Sequence, residues 1–383
     1  MESPRWLNGS RVALCIVAAA AALRIYGIDW GLPEIYEEAV PLTKAWKMWG
    51  WGEGNELDLN PHFFNYPTLV LYTQFIGQGL LYLGMRVAGA VGSVFDFQVL
   101  YIIDKTPFVL LARLITAAFG TATVWVTYLA GRRAAGELAG LSASLFLAVS
   151  TFHMERCRMI EVDVPLLFFT MLSFLFILRI LEKPDRKNYL LAGLAVGLAV
   201  SSKYTGAFLI LPLAAAHLSA RRTAARGRES VRRAERGNRA PGKNRGKRNE
   251  AASSAAPAPS WRILGVSLGI AAVVFAATSP FVFLDAKTFL RHFALERQHM
   301  RLGHFGSDAT RSYLYYGRAL ASRVAADADV PLREGVYICL AGPSFETPAD
   351  LRFLRLIGVL CLIRILRLVR VPLIFLLVFL LFL

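Results

Sequence analysis

The chain has 383 residues, of which 55% are hydrophobic and only 18% charged, with a formal net charge of +16. Soluble domains are about one-quarter charged, and apolar runs of roughly 17–25 residues, the length that a bilayer demands of a helix, recur here; these features exclude an ordinary soluble domain in favour of a polytopic helical membrane protein. The positive charge is concentrated in Arg221–Glu250, with twelve Lys/Arg against three Glu, and between two hydrophobic blocks such a run reads as a cytoplasmic loop near anionic lipid, not as a nucleic-acid surface.

Arg5 and Arg11 precede a first span over about 11–30 and place the N-terminus inside. This start resembles a signal peptide, but the apolar character continues to Ile28, which reads as a retained signal anchor. Gly31–Pro67 then emerges outside as a polar, acid-rich and aromatic-rich loop. Within it, Glu37 and Glu38 are adjacent, so on a helix they point about 100° apart. A carboxylate here suits a general base toward a hydroxyl acceptor or a metal ligand; the alternative is a solvated loop pair. Asn60–Pro67, with His62 and Tyr66, is either an interfacial aromatic belt or a stacking wall for a sugar or isoprenoid.

Tyr66–Ala90 is apolar but holds Gln74, Gln78, four Gly and Arg86, and is expected as an interfacial or re-entrant helix on the outside. Spans follow at 108–131, 137–153, 163–181, 188–202, 204–220 and 261–284, about seven or eight in all. This arrangement keeps the strong Lys/Arg clusters on one side, apart from Arg156 and Arg158. Those two lie in the turn His153–Asp163, where a phosphate ligand or pairing with Glu155 and Glu161 would account for them. Lys203, in Ser201–Thr205 between apolar stretches, either snorkels or meets an anion. The same parity puts Glu37–Glu38, the Asp163 turn, Lys203 and Asp285–Asp308 at the outer face. His292, Glu296 and His299 have the spacing of one helix face, but not the tighter zinc pattern. The four cysteines, Cys15, Cys157, Cys339 and Cys361, show neither metal spacing nor a disulfide framework.

Six stretches in one order carry a resemblance: the acidic pair Glu37–Glu38, LNPHFFNYPTLVLY, YLAGRRAAGELAGLSASLFLAVSTFH, MIEVDVPLLFF, GLAVGLAVSSKYTGAFLILPL and TSPFVFLDAKTF. Over about residues 10–316 the chain resembles the dolichyl-phosphate-mannose–protein mannosyltransferases and the bacterial aminoarabinose transferases. The resemblance implies an all-α transmembrane bundle of glycosyltransferase C type. It implies transfer of a sugar from a polyprenyl-phosphate donor, at the extracytoplasmic face, to a hydroxyl of protein, lipid or glycan. It makes Glu37, with Glu38, the catalytic acidic pair, which reads Asp-Glu in the family and is one methylene longer here. Asp163 matches a second functional acid and Lys203 a basic residue near the donor phosphate; Arg156, Arg158, His62 and Tyr66 complete the expected donor-binding set. No cofactor is implied with certainty, and a divalent metal is an open option. The partners are the lipid-linked donor, the acceptor and the bilayer, in the plasma membrane of a prokaryote.

A second likeness breaks the pattern. Val330–Gly358 resembles a segment of purine nucleoside phosphorylases, whose GPSFET stretch, matched by Phe345 and Glu346, contacts the purine. A fragment of that length carries no such activity by itself. The expected organisation is therefore a membrane domain over 1–316, including a basic cytoplasmic loop at 221–260, and an anomalous segment over 317–383 that reads as fused or frameshifted. A membrane transporter and an inactive transferase remnant are the alternative functions.

Overall fold

A computed structural model describes residues 9–32, 39–50, 56–237 and 258–302. Glu37 and Glu38, and the phosphorylase-like segment Val330–Gly358, lie outside these. The described residues are helical and contain no strand: α1 Gly9–Ile25, α2 Ala39–Lys47, α3 Leu69–Val87, α4 Val94–Ile103, α5 Thr106–Ala135, α6 Glu137–Val149, α7 Thr151–Cys157, α8 Asp163–Glu182, α9 Arg186–Ser202, α10 Ile210–Gly237, α11 Trp261–Thr278, the single turn α12 Phe281–Leu284 and α13 Ala286–Leu302. The helices up to Asp285 form one compact unit, and α13 opens a second.

Helix α5 is the spine, with α1, α6 and α8 packed along it. Its ends follow from local chemistry. Pro107 suits the first turn, where no amide partner is lost, and Gly136 ends the helix at φ +90°, a conformation costly for other residues. The α8–α9 hairpin turns at Lys183–Asp185, where the Asp185 side chain accepts a hydrogen bond from the Asn188 amide at 2.9 Å. Helix α9 then lies against α11 with almost nothing between the backbones. A Cβ on Gly193 would collide with the Ser267 carbonyl, and one on Gly197 would sit 2.8 Å from the Ala271 carbonyl. Close approach through small residues is how helices associate where lipid is the solvent. Ser267 donates across this seam to the Tyr189 carbonyl at 2.7 Å, and Thr278 to Ser201 Oγ at 2.6 Å.

Among the described residues, α5, α8 and α11 are long and apolar enough to cross a membrane, and the pair α6–α7, bent by 62°, makes a fourth if it is one span. Helices α1 and α9, expected as spans, are 17 residues each. Over 204–220 the expected single span is a 3-10 turn, Tyr204–Leu209, followed by α10. Helix α3 points its polar residues inward: Gln74 donates to the Ala112 carbonyl at 3.5 Å and Gln78 to the Leu42 carbonyl at 3.1 Å. Its exposed face carries Ile76, Leu80 and Leu83.

The basic run is corrected over its first half. Instead of a loop starting at residue 221, α10 continues unbroken to Gly237. Alanine, arginine and glutamate, which dominate this stretch, are strong helix formers, so the change from apolar to basic ends the greasy section without ending the helix.

Candidate functional site

At one end of the compact unit the chain makes long connections, and the candidate residues among those described lie there. Asp163 is the first residue of α8 and Lys203 caps the C-terminus of α9. Because the two helices are antiparallel neighbours, these ends meet, and Lys203 Nζ lies 2.7 Å from Asp163 Oδ1. Each charge suits its helix end, the carboxylate at an N-terminus and the ammonium at a C-terminus. The pair is 52% and 39% exposed, so its net contribution to stability is small, about 0–1 kcal/mol. It fixes a cation and its counter-carboxylate in place at the rim.

The turn before α8 supplies two arginines with different partners. Arg156 pairs with Glu161 at 2.8 Å, and its guanidinium stands 5.4 Å over the Phe152 ring. Arg158 donates to the Leu23 carbonyl in the last turn of α1 at 2.6 Å. Burial first, and the Glu161 carboxylate second, push the Tyr66 phenol well above its ordinary range, so it is a hydrogen-bond donor at neutral pH.

The segment 56–68 is tied down at many points. Asn60 Nδ2 donates to Asp285 Oδ2 at 2.9 Å, and His62 lies 2.8 Å from Asp58 and 3.6 Å from Asp285. His62 has φ +47°, unusual for a residue with a Cβ, although histidine tolerates it better than most. Side-chain turns set this up: Asp58 accepts from the Asn60 amide and Asn60 from the His62 amide, at 2.8 and 3.1 Å. Phe64 is buried, and its carbonyl accepts from the Tyr204 hydroxyl at 3.2 Å, next in sequence to Lys203. Phe63 packs edge-on against Tyr66 with centroids 4.9 Å apart, and Lys44 of α2 stands 5.1 Å over the Phe63 ring. Thr68 donates to the Thr278 carbonyl at 2.7 Å, closing the segment on α11.

Two buried arginines secure the exit of α1. Arg113 of α5 donates to the carbonyls of Ile28 and Trp30 at 2.7 and 2.9 Å and stands 5.1 Å from the Trp30 ring. Arg24 reaches the carbonyls of Leu147 and Ala148 at 3.1 and 3.3 Å and His153 Nδ1 at 2.7 Å. Those carbonyls end α6, where the break at Ser150 removes their helical partners. Ahead of residue 33, Ile28 and Trp30 are thus held by Arg113, and from residue 39 onward α2 buries Leu42 and Trp46.

The structure therefore joins Asp163 with Lys203, Arg156 with Glu161, and Tyr66 with the Phe63 ring. It gives His62 to Asp58 and Asp285, and Arg158 to α1. Sequence reasoning did not single out Arg113, Lys44 or Tyr204. A lone arginine in an apolar run is a usable signal for Arg113; Lys44, in an already polar stretch, gives none. No group of three or more metal-ligating side chains occurs among the described residues, and the His299 side chain lies outside them.

Comparison with known proteins places these residues in context. Residues 99–229 match the family model described as dolichyl-phosphate-mannose-protein mannosyltransferase. Residues 258–362 match the phosphorylase superfamily. The yeast Saccharomyces cerevisiae dolichyl-phosphate-mannose–protein mannosyltransferase 1 is 25% identical over 213 residues, 53% of this chain and 24% of its own length. Purine nucleoside phosphorylase 1 of Bacillus subtilis is 50% identical over 40 residues, 10% of this chain and 15% of its own. The chain thus spans a quarter or less of these relatives. A solved structure of the S. cerevisiae protein O-mannosyltransferase Pmt1–Pmt2 complex bound to the sugar donor aligns at 18% identity with a TM-score of 0.46, over 75% of this chain and 35% of that one.

Proposed function

We propose that this chain is an integral-membrane glycosyltransferase that moves a sugar from a polyprenyl-phosphate donor to a hydroxyl of a protein, lipid or glycan at the extracytoplasmic face. The observation that carries the reading is that the mannosyltransferase match over 99–229 contains both members of the Asp163–Lys203 pair. A prokaryotic plasma membrane is the setting proposed with it.

In this mechanism an acceptor hydroxyl attacks the anomeric carbon and the lipid phosphate departs. A hydroxyl is a poor nucleophile at neutral pH, and a positioned carboxylate that takes its proton speeds the step by about 10²–10⁴-fold. Glu37 has that role, with Glu38 next to it. Lys203 meets the negative charge that grows on the departing phosphate oxygen, and Asp163 holds its ammonium in position. The protonated Tyr66 donates to the donor headgroup.

The test is transfer from a labelled polyprenyl-phosphate sugar by detergent-solubilised protein, with donor affinity measured separately. Glu37→Gln abolishes transfer and leaves donor binding intact; Lys203→Ala weakens both. Near wild-type turnover in both Glu37→Gln and Glu38→Gln removes the acidic pair from the chemistry and favours a transporter or an inactive remnant.

A further inference from the structure

We propose that Lys44 is the second cation of the donor's phosphate subsite, sharing with Lys203 the wall built by Phe63, Phe64 and Tyr66. The inference rests on the transferase reading and adds a residue to its site.

Of the cations at this end, Arg156 is neutralised by Glu161, Arg158 holds the Leu23 carbonyl with its Nε unpartnered, and Arg113 grips the backbone of Ile28 and Trp30. Lys44 is the cation that stands directly over an aromatic ring of the wall. Among the described residues no carboxylate lies within ion-pair distance of it, and its contact is the face of the Phe63 ring, 5.1 Å away. It is half-buried, and burial first, then the nearby Lys47, lower its pKa. A desolvated ammonium over an aromatic ring gains modestly from that ring but meets no anion among the described residues, and a phosphoryl oxygen is a ligand that suits such a group. The wall leads from Lys44 toward the cation already assigned: Phe63 contacts Tyr66, and the carbonyl of the next residue, Phe64, holds Tyr204 beside Lys203. The aromatic rings of Phe63 and Tyr66 suit the isoprenoid next to the phosphate. The ligand is thus a phosphate ester on an apolar chain, bound in donor and in released carrier alike.

The experiment uses the full chain in detergent, a short-chain polyprenyl monophosphate and the matching alcohol, read by tryptophan fluorescence. Lys44→Gln should weaken binding of the phosphate on the order of tenfold and leave the alcohol unchanged. Lys44→Arg, which keeps the charge, should restore it. As pH rises, wild-type affinity should fall before that of Lys44→Arg, because the lysine loses its proton first. Unchanged phosphate affinity in Lys44→Gln, with binding lost in Lys203→Ala, overturns the role of Lys44 and leaves the transferase reading standing. A wild-type protein that binds phosphate and alcohol equally overturns both. Inorganic phosphate should displace the probe only weakly; displacement as effective as by the lipid phosphate assigns the site to a free anion and overturns the donor assignment.

Discussion

The two ends of the helix bundle are built from similar residues and do different things with them. At the end that carries Arg133, two connections are short: Gly136 alone separates α5 from α6, and Lys183–Asp185 turns α8 into α9. Charges there join helix termini to near neighbours, as in Arg133–Glu182 at 2.6 Å and Arg132–Glu137 at 3.6 Å. At the end that carries Asp163, connections are long and pinned by contacts between residues far apart in sequence, such as Asn60 with Asp285 and Arg158 with Leu23. Backbone carbonyls, aromatic rings and a left-handed histidine all take part. A tight turn leaves its charges only structural work, whereas a long segment that is held rigid can present side chains to a ligand.

The widest separation of the two ends should come from Arg113→Leu. It strips the carbonyls of Ile28 and Trp30 of their buried donor, at about 1–3 kcal/mol for each group left unsatisfied. Thermal unfolding in detergent should show a clear loss of stability, together with a fall in transfer, because the residues that follow α1 lose their hold on α5. A melting curve equal to wild type would mean that α1 is held by other contacts.

Asp163→Asn should divide stability from activity. The pair it breaks is half-exposed, so the melting midpoint should hardly move, while turnover falls at least about tenfold as Lys203 loses its orienting partner. Equal turnover would return this end to the purely structural character of the other.

Side assignment is a sharper, qualitative test. In a cysteine-free background, single thiols at Gly54 and Ser230 should respond oppositely to an impermeant reagent in intact cells, with labelling at Gly54 only. Labelling at Ser230 alone would exchange the two faces and move the proposed site to the cytoplasm.

The smallest effect is expected at the other end. Arg133→Ala removes a partly exposed ion pair worth about 0–1 kcal/mol, and transfer should be unchanged. A large fall in turnover there would erase the distinction between the ends.

Much of the helical plan was legible in the sequence, since hydropathy alone picks out α5, α8 and α11, while Pro107 and Gly136 bound α5 and Asp185 starts α9. The resemblance led to Asp163 and Lys203, 40 residues apart, before their contact was seen. Composition misled at residue 221, where charge was read as loop although helix propensity carried α10 on to Gly237. Local pattern also could not say which arginines of the turn were committed. Arg156 and Arg158 are neighbours in sequence, yet one faces Glu161 and the other α1.

The sequence by itself determined a helical membrane chain, its main helices and the residue types of its polar end, because hydropathy and propensity act over single turns and spans. Tertiary structure decided which charge met which partner. Those pairings depend on the α8–α9 hairpin bringing opposite termini together, on Gly193 letting α9 approach α11, and on the 56–68 segment reaching Tyr204 and Asp285. Such distances are set by backbone packing between segments up to 225 residues apart, and no local pattern encodes them.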